Sequence, residues 1–170
     1  MRVWPGCRQP ESVGDPCGPI VVGVDGSAGA VAALDFALSE GWKRGCPVEV
    51  VTAWLGRGHL DDSPDSRELA DGRLKVQRMQ EDVLARCLEQ RTQAPDVRPV
   101  VVHDYAGRVL VARAEHAAMV VVGSGSPSSG SHQVLGSVAE YCVRHVPAPV
   151  VIVPAPSRLE GRAAANVQAV

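Results

Sequence analysis

The sequence predicts an α/β domain built on a five-stranded parallel sheet with helices on both faces. Two observations carry that expectation. Five short runs rich in valine and isoleucine alternate with stretches of helical periodicity, and strands joined by helical crossovers run parallel through right-handed connections. One run, Met119 to Val122, shows no polar alternation, as expected of a strand buried on both faces.

The first strand is Ile20 to Val24, bounded by Pro19 and by Asp25-Gly26-Ser27. Ser27 suits a helix N-cap, and Val31, Leu34, Leu38 and Trp42 follow at helical spacing. Gly45 ends that helix, and Pro47 precedes a second strand from Val48 to Trp54. A polar stretch from Gly56 to Pro64 leads into a long helix. Its apolar face carries Leu69, Val76, Met79, Val83 and Cys87, and Pro95 closes it. The third strand is Arg98 to His103 and the third helix Gly107 to Ala117. After the fourth strand comes a Gly- and Ser-rich loop, Gly123 to Leu135. A helix from Gly136 to His145 and a fifth strand from Pro149 to Val153 complete the pattern. Residues 1–18, rich in Pro and Gly, read as a flexible N-terminal arm, residues 19–154 as the domain, and residues 155–170 as a flexible tail.

Composition excludes several classes. Hydrophobic residues at 45% and charged residues at 21% belong to a globular chain and not a disordered one. A net charge of −2 with scattered arginines argues against a nucleic-acid surface, which needs clustered cations. The longest apolar run, Ala117 to Val122, falls far short of the roughly 18 residues of a membrane span. No apolar region follows Arg2, so the start does not read as a signal peptide, and a cytoplasmic location is expected. Five cysteines without a CxxC spacing fit neither a disulfide framework nor a zinc site. Cys87 and Cys142 fall on apolar helix faces. Cys7 and Cys17 fall in the arm, and a redox role for that pair is the less favoured reading.

Two loops carry chemistry. In Asp25-Gly26-Ser27 the carboxylate suits hydrogen bonds from a ribose or an adenine amino group, or a metal shell. The plainer reading is that Asp25 and Ser27 only cap the helix. The second loop runs Gly123-Ser124-Gly125-Ser126 and on to Gly136-Ser137 at a helix start. Small residues there let a phosphate approach backbone N–H groups and the positive end of the helix dipole, with Ser137 as a further donor. The competing reading is a flexible linker. Neither GxxxxGK[ST] nor GxGxxG after the first strand is present. His103 with Asp104, His132, and His145 three residues after Cys142 lack a nucleophile elbow or enough ligands for a metal. No catalytic constellation stands out, so an enzyme is not the leading expectation.

Pro19-Ile20-Val21-Val22-Gly23-Val24-Asp25-Gly26-Ser27, Val50 to Trp54, Val120 to Ser124, Leu135-Gly136-Ser137-Val138 and Pro147 to Val153 together resemble the universal stress protein family. The resemblance covers residues 19–154, strongest at both ends. It implies an adenine nucleotide alpha hydrolase-like fold with strand order 3-2-1-4-5, and homodimers formed through the last strand. ATP-binding members carry Gly, two residues, Gly, nine residues, then Gly-Ser or Gly-Thr. Here Gly123 and Gly136-Ser137 match, Ser126 takes the second glycine's position, and Gly125 stands where an arginine is common. Asp104-Tyr105-Ala106 replaces the usual Gly-Asp-Pro. The resemblance implies that Asp25 contacts sugar or base and that the backbone near Ala53 walls the adenine. Gly123, Gly125, Ser126, Gly136, Ser137 and Val138 would surround ribose and phosphates, with Mg²⁺ as their companion. The expected function is regulatory binding of ATP or a related adenine nucleotide in a stress response. Two alternatives stay open: a nucleotide-free dimeric interaction module, which Ser126 favours, and a slow ATP hydrolase, against which stands the lack of an evident base near the loop.

Overall fold

The computed structural model describes residues 17–55, 66–125 and 135–155. In chain order the elements are β1 (Ile20–Gly23), α1 (Ala28–Arg44), β2 (Val48–Trp54), α2 (Ser66–Glu89), β3 (Val97–His103), α3 (Ala106–Arg113), β4 (Met119–Gly123), α4 (Ser137–His145) and β5 (Val150–Val153). The sheet has the order β3-β2-β1-β4-β5, and all four pairings are parallel. This is the architecture expected from the sequence.

Strand alternation explains why the sheet carries a core on each side. Ile20, Val22, Val48, Val50 and Val121 pack with α1 and α2, while Val21, Val51, Val120 and Val122 pack with α3 and α4. Residues of both parities are therefore buried in β1 and β4, which is why these strands read as continuous apolar runs.

The buried stripe of α1 differs from the expected one. Val31 is 37% exposed and Trp42 38%, whereas Ala30, Ala33, Leu34, Ala37, Leu38 and Gly41 are buried. The helix lies so close to the strands that small residues fill the contact: a Cβ on Gly41 would stand 2.5 Å from Val48 Cγ2. Gly45, at φ 68°, ends α1 in the left-handed conformation, and the Cys46 N–H reaches back to the Gly41 carbonyl (3.0 Å). α3 stops at Arg113, short of Ala117, because Ala117 N–H turns back to the Ala114 carbonyl (3.1 Å). Ala118 N–H then enters the sheet on Pro19 O (2.9 Å).

α2 is pinned by a polar residue that its apolar pattern does not reveal. Gln80, 2% exposed, donates through Nε2 to Val50 O (2.8 Å), Thr52 Oγ1 (3.0 Å) and Val100 O (3.1 Å), so one side chain joins α2 to β2 and β3. β3 is an edge strand. The bond from Val48 N–H to Asp96 O and the register Val50↔Pro99 turn the amide position of residue 99 outward. Proline there costs the ladder nothing and blunts the edge.

The cysteines correct the expectation of no disulfide. Cys17 and Cys46 are bonded, with Cα atoms 5.4 Å apart. Parallel pairing explains it: Ile20 stands opposite Val48, so the residues just ahead of β1 and β2 meet across a sequence separation of 29. Cys17 is also packed on the core and is not a loose residue of the arm. Cys87 and Cys142 are buried free thiols, and burial pushes Cys142 up to about 11.

Removing the Gln80 amide tests its pinning role. Gln80→Ala strips two buried acceptors, Val50 O and Thr52 Oγ1, and the part-buried Val100 O of a donor, and should destabilise the domain by about 1–3 kcal/mol. Urea unfolding should show a lower midpoint with an unchanged slope. An unaltered midpoint would show that α2 is held by its apolar face alone.

Candidate functional site

β1 and β4 are neighbours whose chains leave toward opposite faces, β1 into α1 and β4 toward α4. At this reversal, beyond the carboxyl ends of the strands, lies a cavity of about 310 Å³. Apolar residues form much of its wall: Val51 and Ala53 from β2, Val122 from β4, Ala106 and Leu110 from α3.

The β1 side is shaped by a tight turn. Val24 N–H bonds Val51 O (2.8 Å), which carries the chain one residue past the strand. Gly26, at φ 83°, takes the left-handed conformation, and a Cβ there would press on Met79 Sδ at 3.1 Å. Asp25 Oδ1 accepts from Ser27 N–H (2.9 Å), and Ser27 Oγ accepts from Ala30 N–H (3.2 Å) as the N-cap of α1. The capping reading of this motif therefore describes Ser27 in full and one oxygen of Asp25. Asp25 is exposed and also lines the cavity, where it is the charged residue among the described ones.

The β4 side is built by backbone meeting backbone. A Cβ on Gly123 would lie 2.7 Å from the carbonyl carbon of Gly29, so the end of β4 rests on the first turn of α1. Ser124 N–H donates to Val153 O and Gly136 N–H to Ser124 O, both at 2.9 Å, so the two ends of the intervening loop are tied together. Gly125 adopts φ 94°, and a Cβ there would meet Gly136 Cα at 3.0 Å. The positive φ, a conformation for glycine, falls at the position where the resemblance had an arginine. Gly136, the N-cap of α4, brings no side chain, so the first-turn N–H groups have no side-chain cap. The amino ends of α1 and α4 thus border one cavity; the uncapped end of α4 favours an anion, while Ser27 and Asp25 already cap the end of α1.

Of the expected residues, Asp25, Ala53, Gly123, Gly125, Gly136, Ser137 and Val138 all line the cavity. Ser126 and His132 lie outside the described residues. Sequence reasoning missed Gly23 and Val24 at the end of β1, and Ala30, Ala106 and Leu110, which carry no polar signal and are placed by the packing of α1 and α3. His103 sits away from the cavity wall, its ring 4.6 Å from that of Trp54. Asp104 Oδ1 accepts from Tyr105 N–H (2.7 Å) at the start of α3. His145 stacks on Tyr141 at 4.1 Å, and Cys142 is fully buried. Among the described residues, no group of three or more His, Cys, Asp or Glu is placed to hold a metal ion. Among them too, no helix is long and apolar enough to cross a membrane.

The model of the universal stress protein family matches residues 17–154. A universal stress protein of Mycobacterium tuberculosis is 33% identical over 148 residues, which cover 85% of this chain and 46% of the relative. The chain thus spans about half the length of the curated relatives it matches. Among solved structures, a universal stress protein in complex with cAMP superposes with a TM-score of 0.60 at 24% identity, covering 82% of this chain and 98% of that one. The universal stress protein of Archaeoglobus fulgidus in complex with dAMP gives 0.50 at 23%, covering 80% and 97%. At these identities the two structures speak for the fold. With the family model and the mycobacterial relative both aligned across the domain, the chain belongs to the universal stress protein family.

Proposed function

We propose that the cavity binds an adenine nucleotide, ATP or a relative of it, as a regulatory ligand in a cytoplasmic stress response. The observation that carries this reading is the convergence of the amino ends of α1 and α4 on one cavity whose rim is glycine backbone. Backbone N–H groups and two dipole ends are what a phosphate needs. The apolar wall at Val51, Ala53 and Leu110 suits a flat base, and Asp25 is the acceptor for a ribose hydroxyl or an amino group. The cAMP and dAMP complexes of the two structural neighbours support an adenine nucleotide as the class. A magnesium ion would enter as counter-ion of the phosphates. Among the described residues the cavity's carboxylate is Asp25, at the β1 end, which suits one protein ligand with the rest of the shell from phosphate and water.

A second reading, an interaction module, is favoured by β5. This strand is Val150-Val151-Ile152-Val153, lies at the edge of the sheet beyond β4, and is half-buried throughout. An apolar edge invites pairing with another copy, so we place a homodimer contact there, compatible with an empty or a filled cavity.

Three substitutions separate these readings. Gly136 has φ −62° and ψ 153°, a conformation open to aspartate, which would cap α4 itself and put a negative charge where phosphate would sit. Gly136→Asp should leave the fold intact and weaken ATP, AMP and cAMP binding at least about 100-fold, roughly 2.7 kcal/mol. Gly136→Ala, which adds only a Cβ at 3.1 Å from Gly125 Cα, should cost less than about tenfold. Calorimetric titration of the three proteins decides, and equal affinities would move the ligand elsewhere. For the dimer, Val151→Pro should raise the dissociation constant at least about tenfold in sedimentation equilibrium, since proline cannot extend a β ladder. A monomeric parent chain at micromolar concentration would dismiss the β5 contact.

A further inference from the structure

We propose that the Cys17–Cys46 bond is a thiol-exchange site, opened in the folded protein by a low-molecular-weight thiol that attacks Cys17. The two sulfurs are unequally exposed. Cys46 is 1% exposed, in the turn between α1 and β2, while Cys17 is half-buried at the border of the domain, three residues ahead of β1. Of the two sulfurs, Cys17 Sγ is therefore the one an incoming thiolate is to attack. The S–S bond breaks, its electron pair goes to Cys46 Sγ, and that sulfur takes up a proton. The Arg44 carbonyl oxygen stands 3.9 Å from Cys46 Sγ, an acceptor in place for the thiol that forms. A second thiolate then attacks the small-molecule sulfur of the mixed disulfide on Cys17. It releases the oxidised small thiol and Cys17 as a thiolate. The balance is one protein disulfide and two small thiols giving two protein thiols and one small disulfide. The reverse reaction, with the small disulfide as oxidant, closes the bond.

The surrounding structure permits opening without unfolding. Ile20 N–H stays bonded to Pro47 O (2.8 Å) and Ala118 N–H to Pro19 O (2.9 Å), so β1 keeps its place between β2 and β4 when the covalent tie is lost. β1 is four residues long, with the bond ahead of it and Asp25 just beyond its other end, so the exchange site and the cavity flank one buried strand. The remaining described cysteines, Cys87 and Cys142, are buried thiols whose pKa values burial raises, and they are poor competitors for exchange.

The full chain, folded in air, should give a Cys17–Cys46 cross-linked peptide in a non-reducing digest. Incubated without denaturant with reduced glutathione and then alkylated, it should carry glutathione on Cys17 and not on Cys46. Full reduction should lower the melting temperature by roughly 5–10 °C while circular dichroism stays native, as expected for a closed loop of this size. Cys17→Ser should melt where the reduced parent melts and ignore reductant. The proposal is overturned by free Cys17 and Cys46 in the air-folded chain, or by a Cys7–Cys17 bridge. A bond that yields to glutathione only after denaturation, or an adduct on Cys46, overturns it as well. So does a Cys17→Ser protein whose melting still responds to reductant.

Discussion

The contact on which the rest of the structure depends joins two stretches of backbone. Where β4 ends, Gly123 lies against the first turn of α1, so close that a Cβ would come within 2.7 Å of the Gly29 carbonyl carbon and 3.0 Å of Ala30 N. Real side chains do not occupy such positions, so any residue but glycine would push α1 outward from the sheet. The same move would draw the amino end of α1 away from the reversal between β1 and β4, where the cavity lies. A second backbone contact, Gly125 against Gly136, does the equivalent for α4. Two close approaches, each made possible by a missing Cβ, thus set the position of both helix dipoles.

That closeness propagates along α1. Ala30, Ala33, Ala37 and Gly41 continue the line of small residues from the cavity to the far end of the helix, where Gly41 sits on Val48. Leu34 and Leu38 supply the apolar volume between them, and larger groups such as Trp42 are left at the flank. At that far end, the Cys46 N–H bond to the Gly41 carbonyl turns the chain sharply into β2 and delivers Cys46 to Cys17. The cavity and the disulfide are therefore two consequences of one packing arrangement, at opposite ends of the same helix–strand pair.

How much of this was legible depended on whether the signal was local. Strand boundaries were, to within one residue, because valine runs end at glycine, proline or aspartate; β2 was placed at Val48 to Trp54, where it lies. The N-cap at Ser27 and the stop at Gly45 were equally local. The buried face of α1 was misjudged because large apolar residues at helical spacing outweighed alanines, whereas proximity to the sheet reverses that preference. Gln80 was invisible for a related reason: its acceptors, Val50, Thr52 and Val100, belong to strands 20 to 30 residues away. The disulfide was missed because an odd cysteine count says nothing about register, and register is what brings residues 17 and 46 together. Of the cavity wall, Asp25, Gly123, Gly125 and Gly136 were readable from their loops. Ala106 and Leu110 were not, since α3 carries no motif and reaches the cavity only by packing.

If the cavity holds a nucleotide phosphate as proposed, main-chain groups do most of the holding, and this bears on what sequence divergence does to it. A phosphate held by side chains is lost when a single arginine changes. A phosphate held by the first-turn N–H groups of α4 would be lost when the backbone moves or when a like charge is placed at the helix end. What must be kept is then the absence of side chains at Gly123 and Gly125, with small, uncharged residues at Gly136 and Ser137, and an apolar wall of suitable depth. The chain departs from its family where the resemblance expected an arginine, yet the residue there, Gly125, supplies the left-handed turn that closes the loop base. The departure exchanges a charge for a conformation, and the conformation is what keeps α4 pointed into the cavity.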